Sequence, residues 1–230
     1  MIDLNTLLLK ALLIVAPPGN TKFSVVVDGY GYSHKETYDE GAERYRDISD
    51  AEIEAAETEL CTDTMGAPLG GCKANPKGKV WTVRDLVTRA SGLAIAESGL
   101  REDVENGRTT QGGKGRGPAG EACLMQLLPA VIPAFAPDGD GSPSSVIGKE
   151  NLVRCFRTGM RMMIQARAYC DWEWTLRKID VPRDTYFGMF SMYGSGNSCW
   201  SNNAGKTSYR VAIANHVAST MKKIAVSYEQ

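Results

Sequence analysis

Apolar residues recurring every three or four positions, in several separate segments, commit this 230-residue chain to packing helices against one another. The clearest stripe is Val83, Leu86, Ala90, Leu93 and Ala94, behind Thr82 with Asp85 placed to start the helix. A long helix is expected from about Ser145 to Cys170, with Leu152, Phe156, Met160, Met163 and Ile164 inward. Another runs from about Thr207 to the C-terminus on a stripe of Tyr209, Ile213, Val217 and Ile224. Ser49 with Glu52 reads as the capping start of a helix ending near Leu60, and Arg183 to Tyr193 is also helical in pattern. A strand is expected over Lys22 to Asp28, where Val25, Val26 and Val27 follow Phe23. The expectation is a mainly α single domain with a short N-terminal β element. No repeat or linker interrupts it.

Composition narrows the function classes. A 43% hydrophobic and 23% charged chain of this length builds an ordinary core, so no cofactor or metal is expected. The net charge of −1 gives no long-range attraction to nucleic acid or an anionic membrane. The apolar run Leu7 to Val15 is too short to span a bilayer and is preceded by Asp3 rather than a basic leader. It reads as a buried helix, with an export signal and a membrane anchor as the other readings. Six cysteines without a C-x-x-C pair, and only His34 and His216, argue against zinc. The cysteines are either small buried residues or disulfide-bonded. Cys61 and Cys72 are the pair that would close their own Gly- and Pro-rich loop. Gly205-Lys206-Thr207 is no phosphate loop, because Trp200 holds the place of its first glycine.

Glu97 is the residue that points to chemistry. Continuing the stripe from Leu86 through Ala90 and Leu93 arrives at this carboxylate, where the helix stops at Ser98-Gly99. A carboxyl group buried among apolar neighbours holds its proton to higher pH and can act as a general acid. Glycosidases protonate a leaving sugar oxygen in this way. Pattern alone equally allows a glutamate turned to solvent at a frayed helix end.

Three motifs follow in order: Glu97-Ser98, then Cys123-Leu124-Met125-Gln126 beyond a glycine-rich loop, then Tyr193-Gly194-Ser195-Gly196. Over Trp81 to the C-terminus the chain resembles the soluble lytic transglycosylases and goose-type lysozymes. Those proteins carry Glu-Ser at the end of a core helix, then Gly-Leu-Met-Gln, then Ala-Tyr-Asn-x-Gly. Here Cys123, Met192 and Gly194 replace a glycine, an alanine and an asparagine. The resemblance implies a lysozyme-like catalytic core over residues 81–230, with 1–80 an extension packed on it. It implies that Glu97 protonates the oxygen between N-acetylmuramic acid and N-acetylglucosamine. Ser98 would hold Glu97 or the sugar, Met125 and Gln126 would line the groove, and Tyr193 would fix the Glu97 rotamer. The implied partner is the peptidoglycan glycan strand.

Hydrolysis or transglycosylation turns on a second carboxylate. An inverting hydrolase needs one about 6.5–9.5 Å from the acid to activate water. Goose-type lysozymes carry aspartates on either side of the second motif, and the matching positions here are Gly117 and Leu128. A transglycosylase needs only one acid, because the sugar's N-acetyl group and C6 hydroxyl do the rest. Asp103, Glu105 and Glu121 are the substitutes within reach in sequence, Glu121 the nearest to the motif. The loop from Asp103 to Gly120 is expected to border the groove. Transglycosylase is therefore the preferred expectation; a muramidase and an inactive wall-binding or virion structural protein are the alternatives. Without a clear signal peptide, delivery to the wall would fall to a phage virion or a secretion machine.

Overall fold

The computed structural model describes residues 2–18, 25–27, 33–35, 37–60, 81–107, 120–136, 138–177, 186–195, 198–200 and 204–229. Among them are α1 (Leu4–Val15), α2 (Tyr38–Leu60), α3 (Val83–Ser98) and α4 (Glu102–Glu105). Then come α5 (Ile132–Phe135), α6 (Leu152–Arg177), α7 (Phe187–Ser195) and α8 (Ala204–Ser227). The fold is mainly helical. Backbone ladder pairing joins β1 (Val25–Val27) antiparallel to β2 (Ser33–Lys35). No helix among the described residues is long and apolar enough to cross a membrane.

Local chemistry sets the helix ends. Asp3 accepts the Thr6 N–H at 2.9 Å and caps α1. Thr82 accepts the Asp85 N–H at 3.0 Å to start α3, and Gly99, at φ 63°, ends it. Helix α2 starts twelve residues earlier than a cap at Ser49 suggested. Thr37 and Glu40 form the capping box, exchanging hydrogen bonds of 2.8 and 3.3 Å. Both sites share the pattern, and burial decides between them: Ser49 and Glu52 lie inside the core, facing α1 and α3. The single helix expected from Ser145 is broken at Gly148, whose φ of 94° suits glycine. Short 3₁₀ turns flank that break, and α6 then runs seven residues past Cys170.

Helix α3 packs along α8, α2 along α6, and α1 against both α8 and α2. The α3–α8 contact is close because Gly92 lies directly over Ala214; a Cβ at residue 92 would overlap the Ala214 backbone. That approach sets which face of α8 is buried. Thr207, Arg210, Ala214, Val217 and Met221 face inward, whereas Tyr209 is half-exposed. The expected stripe through Tyr209 and Ile213 is therefore rotated. Small Ala214 wins the interior because it lets the helices meet. Leu8, Leu12, Tyr45 and Ile48 share one core with Leu86, Leu93, Phe156 and Val217, so residue 80 marks no break in packing. Glu59 on α2 adds a buried clamp, accepting from Arg157 at 3.0 Å and Arg161 at 2.9 Å on α6.

Candidate active site

Glu97 occupies the last turn of α3, its side chain 8% exposed. Its surroundings are not purely apolar, as the stripe suggested. Arg210 Nε donates to Oε1, and Lys206 Nζ lies 3.5 Å from Oε2. These cations stand one turn apart on α8, where its N-terminal end passes the end of α3. The Arg210 guanidinium is itself buried and uses Nη1 to donate to the Phe190 carbonyl of α7 at 3.1 Å. A basic residue in the spaced series 207, 210, 214, 217, 221 was the available signal for Arg210.

Ser98 bonds the backbone rather than Glu97. Its hydroxyl donates to the Ala94 carbonyl at 2.7 Å and accepts the Leu100 N–H at 3.2 Å, closing the helix end. The second motif forms a tight turn between the bridged residues Ala122 and Leu127, which exchange hydrogen bonds of 2.9 Å each. Cys123 has φ 56° and Gln126 φ 50°. Both φ values are left-handed, a conformation that glycine takes freely and that cysteine occupies here at a steric cost. Met125 is fully buried and packs against Gly159 of α6. Its apolar chain fills the space above that glycine. Gln126 is half-buried, and its amide donates to the Cys123 carbonyl at 3.0 Å within the turn.

Tyr193 hydrogen-bonds the turn and not Glu97: its hydroxyl donates to the Met125 carbonyl at 2.8 Å. Burial, and next the negative charge of Glu97, push the phenol pKa well above its usual value. Tyr193 therefore remains a proton-bearing donor beside Glu97. The three motifs meet in this way, α3 and α8 through the ion pair, α7 and the turn through Tyr193.

The substitute carboxylates are differently placed. Asp103 is buried in a two-pronged pair with Arg101. Glu105 is 3.0 Å from Arg44 Nη1; burial raises its pKa, with the Arg44 charge opposing. Both brace α4, which removes them as ready activators of water. Glu121 is half-buried just ahead of the turn. Of the loop expected to border the groove, 108–119 lie outside the described residues.

Two disulfides hold these pieces to α6. Cys123 in the turn bonds Cys155, and Cys170 bonds Cys199 beyond α7. The expected Cys61–Cys72 pair lies outside the described residues. Away from the site, Glu52 is fully buried between α2 and α3, and burial pushes its pKa up to about 8, with the Ser91 hydroxyl opposing.

Compared with family models, curated proteins and solved structures, the chain matches none.

Proposed function

We propose that this chain is a lytic transglycosylase of peptidoglycan, with a lysozyme-like catalytic core and Glu97 as its acid and base. One observation carries the reading. Glu97, the turn at 123–126 and Tyr193, far apart in sequence, converge through Arg210 and the Tyr193–Met125 bond. A carboxyl group at the end of a core helix, held by Arg210 on one oxygen with Lys206 near the other, suits directed proton transfer.

Glu97, ion-paired with Arg210 and Lys206 in the structure, takes up a proton from solvent as substrate displaces Lys206. It donates that proton to the glycosidic oxygen as the C1–O bond breaks, so that N-acetylglucosamine leaves as an alcohol. The muramyl acetamido group stabilises the electron-poor C1. The C6 hydroxyl then attacks C1, and the Glu97 carboxylate takes its proton. The product is a 1,6-anhydro sugar, no water is consumed, and the acid is regenerated. Substrate has to displace Lys206 from the carboxylate first, and Lys206 is the accessible partner, 55% exposed. Pairing of Asp103 and Glu105 with arginines favours this route over hydrolysis. The two disulfides suit work in an oxidising compartment such as the cell wall.

The buried Glu97–Arg210 pair also favours a second reading, a wall-binding protein in which the pair is only a brace. Turbidity loss of purified cell walls separates the two. An enzyme clears walls, and its folded Glu97→Gln variant loses about 10²–10⁴-fold or more. A brace gives no clearing by either protein.

A further inference from the structure

Gly194 stands where the resembling family carries asparagine, and the space around it is already taken. A Cβ at residue 194 would overlap Arg210 Nη1 and lie 2.8 Å from both Cζ and Nη2. The guanidinium that fills this space is 5% exposed and uses two faces. Nε meets Glu97 at the end of α3, and Nη1 meets the Phe190 carbonyl of α7. A planar group bonded at two separate nitrogens has one orientation, so it transmits that orientation to the carboxylate it holds. Lys206 cannot do the same, being 3.5 Å away and mostly in solvent. Tyr193, next to Gly194, bonds the motif turn, so one stretch of α7 both admits the arginine and anchors the turn.

We propose that Arg210 is the positioning residue of the site, fixing the Glu97 carboxylate, and that residue 194 is glycine to admit its guanidinium. The inference rests on the reading of Glu97 as the acid. It accounts for the lost asparagine as an exchange: a side chain from α7 gives way to one from α8. A purely structural arginine would affect folding and leave turnover by the folded protein intact. A positioning arginine changes kcat with little change in KM, because misplacing a reacting group costs rate more than binding.

The test measures kcat and KM on solubilised glycan strands for wild type, Arg210→Met, Arg210→Lys, Gly194→Ala and Gly194→Ala/Arg210→Met. Each protein is first checked for folding by thermal melt. Folded Arg210→Met should lose about 10- to 100-fold in kcat, with KM within about threefold. Arg210→Lys should recover part of the loss. Gly194→Ala keeps the arginine but displaces it, so it should lower kcat and add nothing to Arg210→Met. If Arg210→Met does not fold, the lysine and Gly194→Ala proteins carry the same test. Wild-type kcat in folded Arg210→Met, or in Gly194→Ala, overturns the proposal, as does an additive double variant. Glu97→Gln runs alongside. If it is inactive while Arg210→Met is fully active, only this inference falls; if it stays active, or wild type is inert, the reading of Glu97 falls too.

Discussion

The charge on Glu97 offsets the burial of a guanidinium 5% exposed, so this residue has a structural duty beside its proposed chemical one. Glutamine there keeps an oxygen for Arg210 Nε but no charge. Glu97→Gln should therefore cost on the order of 1–3 kcal/mol, below the roughly 3–5 for losing one partner of a buried pair outright. Urea denaturation measures this, and an unchanged midpoint would mean that the pair contributes nothing. Glu52 behaves differently. Its pKa of about 8 lies above the ordinary 4.5, so the folded state binds its proton more tightly than the unfolded state does. Stability should fall as pH rises from about 4.5 to about 8, and Glu52→Gln should remove that part of the slope. At pH 7 the glutamine variant should gain up to about 3 kcal/mol over wild type, read from urea midpoints of both proteins at pH 5 and pH 7. The protonated group, or the glutamine, can donate to Ser91, whose own proton can go to the Val87 carbonyl. Glu97 was legible because a carboxylate on an apolar stripe breaks a local pattern. Arg210 was not, since its partner lies 113 residues away and periodicity reports only near neighbours.

The turn at 123–126 depends on its neighbours, since its own backbone is unfavourable at Cys123. The Cys123–Cys155 bond spans 32 residues, a loop for which chain entropy gives up to about 4 kcal/mol. Cys123→Ala/Cys155→Ala should lose much of that. Cys123→Gly/Cys155→Ala should be more stable than the alanine version by about 1 kcal/mol, because glycine accepts the positive φ freely. Equal melting temperatures for the two would contradict the backbone argument. Helix existence was legible from spacing for α3, α6 and α8, and the Thr82 cap located the start of α3. Helix limits and facing were not. Ser49 and Thr37 carry the same capping pattern, and only burial tells them apart. On α8 the closest approach goes to Ala214 rather than to the larger Ile213, because Gly92 and Ala214 let the backbones meet. Hydrophobicity alone ranks those two residues the other way.

Across the molecule, helices from both halves of the chain close one core around α3. Removing residues 1–80 would strip Leu8, Leu12, Tyr45 and Ile48 from it and leave Arg157 and Arg161 without Glu59. The fragment 81–230 should therefore bind a hydrophobic dye and melt without a cooperative transition; a sharp melt would show that the core is separable. The mainly helical class was legible in the sequence because periodicity reports it directly. How the helices cross, and what meets Glu97, depended on contacts between distant segments. In the proposed reaction Glu97 breaks the glycan with the sugar's own C6 hydroxyl as nucleophile. Mass spectrometry of peptidoglycan digested by the whole chain tests it most directly. Wild type should leave 1,6-anhydro ends, and folded Glu97→Gln should release almost no product. Products about 18 mass units heavier, as water addition gives, or equal release by the glutamine variant, would contradict it.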